Sequence, residues 1–218
     1  MKSILLIGMG KFGSIVGDEL IARGNEVMVV DKDEAQIELC SSKFTHAVSA
    51  NCMNPENLKS FNIPSFDACI VAIGNDFQSS LEITSLLKDL GAKYVISKAS
   101  TPIQKKFLLK NGADEVVYPY QDSAEKLAVM VNSRKIYDYF AINDSHSIFE
   151  LEVPADWVGK SILEINPRKK FNINVLMVNR NEEIISAIDA EFVFNQGDHV
   201  VIFGETDRIM TFTSKKIK

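Results

Sequence analysis

Long apolar runs, basic tracts, clustered histidines and paired cysteines are all scarce in this sequence, and each scarcity removes a class of function. No apolar run approaches the roughly 20 residues of a membrane-spanning helix, so direct membrane insertion is not expected. Lys and Arg number 24 against 29 Asp and Glu, a formal charge of -5, and this balance gives no reason to expect nucleic acid as a partner. The pairs Lys105-Lys106 and Lys215-Lys216 read as solvated surface, and Arg168-Lys169-Lys170 is too short for a DNA or membrane patch. Cys40, Cys52 and Cys69 are odd in number and lack metal-ligand spacing, which suits buried reduced thiols in a cytoplasmic protein. His46, His146 and His199 lie far apart, so no metal site is expected from them.

What is present begins at once. Ile4-Leu5-Leu6-Ile7 reads as a buried parallel strand, and Gly8, Gly10 and Gly13 follow it at the G-x-G-x-x-G spacing. The first glycine allows a tight turn, the second lets backbone approach a pyrophosphate, and the third lets the next helix close on the strand. That helix aims its free N–H groups and positive dipole end at phosphates. Val27 to Val30 forms a second strand ending in Asp31, the position from which an acid hydrogen-bonds a ribose 2′-hydroxyl and repels the 2′-phosphate of NADP.

Strand and helix then alternate. Ile15, Val16 and Leu20 make an inward helical stripe; Asn54-Pro55 and Thr101-Pro102 open helices; Phe107 and Leu108 face inward. The alternation predicts an α/β fold, a Rossmann-like doubly wound parallel sheet, with a nucleotide crevice at the carboxyl ends of its strands. Gly8, Gly10, Lys11, Phe12 and Gly13 line it, joined by Asp31 and Lys32, Asn51 and Cys52, Ala72, Ile73 and Gly74, and Lys98 at the end of the fifth strand. From Asp122, with Glu125 as a capping-box partner, a long helix is predicted through Leu127 and Val131 toward Ile136, Tyr139 and Phe140, serving as a dimer element. Beyond Asn143 the period is two: Phe149, Leu151 and Val153 alternate with glutamates, Ser161 to Glu164 is a capping box, and residues 175–185 suggest a hairpin. Another strand is predicted near Val193, and a terminal helix from Asp207. The predicted division is residues 1–120 for nucleotide binding, 121–142 for a linking dimerisation helix, and 143–218 for a small α+β domain that dimerises.

Gly8 to Gly13, Asp31, Thr45 to Val48, Val71 to Gly74 and Gly112-Ala113-Asp114, followed by Gly159 to Ile162, Asn174 to Leu176 and Gly197-Asp198, resemble the regulators of potassium conductance. The resemblance covers essentially the whole chain and is to the KtrA/TrkA-type subunits of potassium uptake systems. It implies homodimers assembled into an octameric ring, held on the cytoplasmic face of the membrane by a separate KtrB/TrkH-like potassium-channel subunit. It implies ATP and ADP as crevice ligands that favour different ring shapes. Where the family has arginine this chain has Lys11, a point charge in place of a planar fork. Where the family holds an activating cation with a glutamate after the sixth strand's proline, this chain has Tyr120, so that metal site is not expected and Mg arrives only with ATP. The second domain resembles those that bind cyclic di-AMP, which implies contacts from Ile162, Leu163, Arg168, Phe171, Asn174 and Val175, with Asn166 replacing the usual aspartate.

The fingerprint alone also fits two other functions. An NAD-dependent oxidoreductase needs a proton-transferring group, and the second domain has no His-Asp, Tyr-Lys or metal constellation to supply one. An NAD(H)-sensing regulator stays open, because Asp31 can hold a ribose of either NAD or ATP.

Overall fold

The computed structural model describes residues 1–133 and 135–214, apart from the side chains of Phe212 and Ser214; the Lys215-Lys216 pair lies outside them. The chain divides into two compact units, Met1–Gln121 and Asp122–Lys218.

In the first unit β1 (Ser3–Ile7), β2 (Glu26–Asp31), β3 (His46–Ser49), β4 (Ala68–Val71), β5 (Val95–Lys98) and β6 (Glu115–Val117) form one parallel sheet in the order β3-β2-β1-β4-β5-β6. Helices α1 (Lys11–Ala22), α2 (Glu34–Cys40), α3 (Pro55–Ser60), α4 (Phe77–Asp89) and α5 (Pro102–Lys110) connect the strands. The central strands β1 and β4 are almost wholly apolar because both faces are covered, whereas the edge strands β3 and β6 carry exposed polar residues such as His46 and Glu115. Leu5, Ile7, Val30, Val71 and Val95 share one core with Ile83 and Leu87, while Ile4, Leu6, Val27, Val29 and Ile70 share another with Ile37 and Phe44. Helix starts follow the local signals: the Asn54 side chain accepts from the Glu56 amide ahead of Pro55, and Thr101 accepts from the Gln104 amide ahead of Pro102.

Two inward assignments fail. Ile15 is 64% exposed and Phe107 is 44% exposed. The inner face of α1 is instead made of Gly13 and Gly17, with Val16 and Leu20 half-buried. A Cβ at Gly17 would meet the Phe44 ring at 2.8 Å, so α1 lies too close for a side chain there. The inward stripe is therefore set by glycines, which hydrophobic periodicity does not count.

The second unit holds β7 (Ile136–Ala141), β8 (His146–Glu152), β9 (Ile173–Arg180), β10 (Glu183–Ile185) and β11 (His199–Glu205), antiparallel in the order β10-β9-β11-β8-β7. Short helices α7 (Ile162–Ile165) and α8 (Pro167–Phe171) precede β9, and α9 (Thr206–Ser214) follows β11. Phe149, Leu151, Trp157, Ile173, Phe194, Val200 and Ile202 fill its core. The capping box is present: Ser161 accepts from the Glu164 amide, and the Glu164 carboxylate accepts from the Ser161 amide.

The long predicted helix is shorter and starts earlier. Helix α6 runs Pro119–Asn132, so Asp122 sits inside its first turn and does not cap it. Residues 136–141 form β7. The misreading has a cause: a register irregularity between Ile136 and Asp138 puts the buried Ile136 and Tyr139 three residues apart, a helical interval produced by a bulged strand. No strand forms at Val193, which makes a single isolated bridge to Ser161.

Candidate functional site

The crevice lies in the first unit at the carboxyl ends of the neighbouring strands β1 and β4, from which the chain leaves toward β2 on one side and β5 on the other. It is the topological switch point at which doubly wound sheets bind ligands. Its volume is about 560 Å³. Each wall comes from the carboxyl end of a strand: Gly8, Gly10, Lys11 and Phe12 after β1, Asp31 and Lys32 at β2, Asn51 and Cys52 after β3, Ala72, Ile73 and Gly74 after β4, and Lys98 ending β5. Of the predicted nucleotide set, only Gly13 is absent from the lining.

Gly13 acts from behind. A Cβ there would stand 1.9 Å from the Gly8 carbonyl oxygen, so its lack of a side chain is what permits the turn. Gly8 adopts φ +99, a conformation open to glycine. Gly10 is different, since no atom lies within 4 Å of where its Cβ would be. It keeps space clear on the crevice side, at the N-cap of α1. No side chain caps that helix and no acid stands in its first turn, so its N–H groups remain available to an anion.

Asp31 does two jobs. Its Oδ2 accepts from the Met9 amide at 2.6 Å and its Oδ1 from the Asp33 amide at 2.9 Å. The carboxylate thus clasps the glycine turn to the end of β2, while each oxygen keeps a second lone pair for a ribose hydroxyl. The Asn51 side chain is occupied locally, accepting from the Met53 amide at 3.0 Å. Cys52 is buried, which pushes its thiol up to about 12.

Sequence reading missed several wall residues, among them Met53, Asp76, Ser79 and Tyr120. Asp76 caps α4: its carboxylate accepts from the Ser79 hydroxyl at 2.6 Å and the Ser79 amide at 3.1 Å. Those bonds hold its carboxyl below the usual range. Lys32 Nζ stands 4.0 Å from Asp76 Oδ2. The Gly74-Asn75-Asp76 turn ahead of an apolar helix was the signal available for Asp76. Tyr120 carried none for the crevice, because only the fold brings its largely exposed ring to the crevice edge, 5.0 Å from Lys98 Nζ.

Residues 4–119 match the TrkA-N domain and residues 147–216 match the TrkA-C domain. Over 214 residues the chain is 32% identical to Ktr system potassium uptake protein C of Bacillus subtilis (strain 168), covering 98% of this chain and 97% of the relative. It is 33% identical to Ktr system potassium uptake protein A of the same strain, over 98% of this chain and 96% of that relative. The chain belongs to the Ktr/TrkA family of potassium uptake proteins. As a member it is a regulatory protein of potassium transport and not an enzyme. Its fold is that of the GsuK channel bound to NAD, with TM-score 0.70 and 16% identity, over 99% of this chain and 40% of that chain. The chain therefore spans less than half of that channel's length.

The TrkA-C portion carries a second, shallower groove of about 350 Å³. Ile162, Leu163, Arg168, Asn174 and Val175 line it together with Asn166, Pro167 and Asp189. Phe171 does not join them: it lines a separate cavity and packs 6.2 Å from the Trp157 ring. Asn166, at φ 50, caps α8 by accepting from the Lys169 amide and so orients the basic turn. Among the described residues of this Ktr/TrkA-family chain no cluster of three His, Cys, Asp or Glu is placed to hold a metal, and no helix is long and apolar enough to cross a membrane.

Proposed function

We propose that the chain is the gating subunit of a Ktr-type potassium uptake system, switched by ATP and ADP in the TrkA-N crevice. The carrying observation is the chemistry of that crevice: an uncapped helix N-terminus, three lysines (Lys11, Lys32 and Lys98) and the Asp31 carboxylate share one wall-to-wall space. The helix end and the lysines suit a polyphosphate, and the acid suits an unphosphorylated ribose. A further γ-phosphate contacts Lys11 or a neighbouring subunit differently from ADP, and only such a difference shifts the balance between two assemblies. Magnesium enters with ATP. The assembly is homodimers closed into an octameric ring, held in the cytoplasm against a KtrB/TrkH-like channel subunit.

For the TrkA-C groove we propose cyclic di-AMP, a two-fold ligand on a two-fold dimer. Arg168 neutralises a phosphate while Ile162, Leu163 and Val175 wall an adenine and Asn174 hydrogen-bonds it. Phe171, which lines the neighbouring cavity of the single chain, is not one of the contacts proposed here.

Thermal melting of the full chain tests the first proposal. At about a hundred times its dissociation constant a ligand stabilises by about 2.7 kcal/mol, and ATP or ADP is expected to raise the melting temperature more than NADH or NADPH does. A larger shift with NADH would replace this reading with NAD(H) sensing, the ligand named for the GsuK structure. For the second groove, cyclic di-AMP is titrated against wild type and Arg168→Ala; equal affinities would discard the phosphate contact.

A further inference from the structure

One charged side chain of the TrkA-N unit is packed into the crevice wall without a counter-ion, its ammonium open to the crevice. Lys98 is 7% exposed, and among the described residues no ion pair or hydrogen bond engages its Nζ. Two rings hold it instead, Phe12 at 5.4 Å and Tyr120 at 5.0 Å from their centroids. Aromatic faces compensate an ammonium only in part, so the position is poised for an anion. The surroundings bring it there. A buried bond between Thr84 Oγ1 and Ser97 Oγ, 2.8 Å long, anchors β5 one residue before it. A Cβ on Gly74 would stand 2.7 Å from Nζ, so the glycine leaves room for the ammonium at the crevice wall.

The two rings belong to different helices. Phe12 is the second residue of α1, whose N-terminus faces the crevice; Tyr120 is the second residue of α6. Further along α6, Val129 and Met130 pack on the core of the TrkA-C unit. We propose that Lys98 reads the charge of the bound nucleotide: its ammonium holds the first turn of α6 through Tyr120 and exchanges that contact for a phosphate oxygen. This inference rests on the nucleotide reading above. A ligand lacking phosphate has nothing with which to compete for Lys98 and leaves α6 held. A phosphate makes a charge-assisted bond that outweighs one aromatic face and frees Tyr120. The crevice thereby distinguishes occupancy from charge, and only charge reaches the helix.

The test compares adenosine with ADP on the full chain, by calorimetric titration and by hydrogen exchange of amides 120–126. In wild type, ADP is expected to speed exchange in 120–126 and adenosine to leave it unchanged. Lys98→Met is expected to weaken ADP roughly 10- to 100-fold, the worth of a hydrogen bond to a charged group, with adenosine affinity retained and the ADP effect on exchange abolished. Lys98→Gln serves as a second neutral variant should the methionine fail to fold. Tyr120→Leu is expected to speed exchange without ligand and to tighten ADP several-fold, whereas Tyr120→Phe, which keeps the ring, behaves as wild type. Equal weakening of adenosine and ADP by the Lys98 variants, or ADP binding to wild type with unaltered exchange in 120–126, overturns the proposal. Failure of wild type to bind any adenine nucleotide instead removes the nucleotide reading itself.

Discussion

Gly10 and Gly13 belong to one fingerprint but have separable physical roles, and alanine at each position should separate folding from binding. At Gly13 the new methyl would sit 1.9 Å from the Gly8 oxygen, where real Cβ atoms keep at least 3.0 Å. The turn would have to open by about 1 Å, and it is poorly free to do so, because the Gly8 amide donates to the Val30 carbonyl at 2.8 Å and the Met9 amide to Asp31 at 2.6 Å. Overpacking of this kind costs about 1–3 kcal/mol, set against a gain of about 0.5–1 kcal/mol for replacing a helical glycine. Because the obstacle is backbone, the upper end of the cost applies and the net loss is about 2 kcal/mol. At roughly 2–4 °C per kcal/mol for a chain of this size, the melting temperature of Gly13→Ala should fall by about 4–8 °C. Gly10→Ala meets no atom within 4 Å and loses only the N-cap preference, at most about 1 kcal/mol. On the proposed nucleotide reading its methyl enters the space left for the phosphates, so the stabilisation by ADP should disappear. Circular-dichroism melts of both variants, with and without ADP, give the comparison. A Gly13→Ala protein melting with wild type would refute the packing argument, and a Gly10→Ala protein with the full ADP response would refute the argument for the crevice.

Asp198 is 1% exposed and accepts from Arg180 Nε and Nη2 at 2.8 and 2.7 Å and from the Asn195 amide at 2.8 Å. Removing one partner of a buried pair costs about 3–5 kcal/mol, and the partly exposed Arg180 places Asp198→Ala near about 3 kcal/mol in urea unfolding; a loss below about 1 kcal/mol would contradict this. Burial pushes the Asp198 carboxyl up, but the Arg180 and Asn195 hydrogen bonds and the Arg180 charge overrule it and leave it below the usual range. A depressed carboxyl contributes stability that is present above its unfolded value of ~4 and is lost as pH falls through the native one. The wild-type advantage over Asp198→Asn should therefore shrink below about pH 4 and hold steady between pH 5 and 7; an advantage unchanged down to about pH 2 would contradict the sign. Asp31→Asn weakens the clasp on the glycine turn by roughly 1–2 kcal/mol, seen as a lower denaturation midpoint; an unmoved midpoint would show the clasp to be dispensable. Burial pushes the Cys52 and Cys69 thiols up to about 12, so an aromatic disulfide reagent at pH 8 should label them only as fast as the chain opens, and rapid labelling of the native protein would contradict that.

Much of the TrkA-N crevice was legible because its signals are local. Gly8, Gly10 and Gly13 follow a four-residue apolar strand, Asp31 closes the next one, and Pro55 and Pro102 sit just inside helix starts. Each reflects a constraint acting within a few residues: a turn, a cap, a strand covered on both faces. The TrkA-C hairpin and the Ser161 to Glu164 box are legible for the same reason. Errors fell where a local pattern had two physical sources. Ile136 and Tyr139 keep a helical interval inside a bulged strand, and Ile15 and Phe107 have the right apolarity on faces the fold leaves open.

By itself the sequence determined the order of elements, the parallel sheet and the glycines that turn the chain between β1 and α1, since these depend on covalent geometry and near neighbours. Tertiary structure alone decided that Tyr120 shares a cation with Phe12, that Phe171 lies beside Trp157 and lines a cavity other than the Arg168 groove, and that Gly17 and not Ile15 faces the sheet. Such pairings join residues far apart in the chain. They are selected by close packing and by the need to compensate buried charge, neither of which has a period that can be read along a sequence.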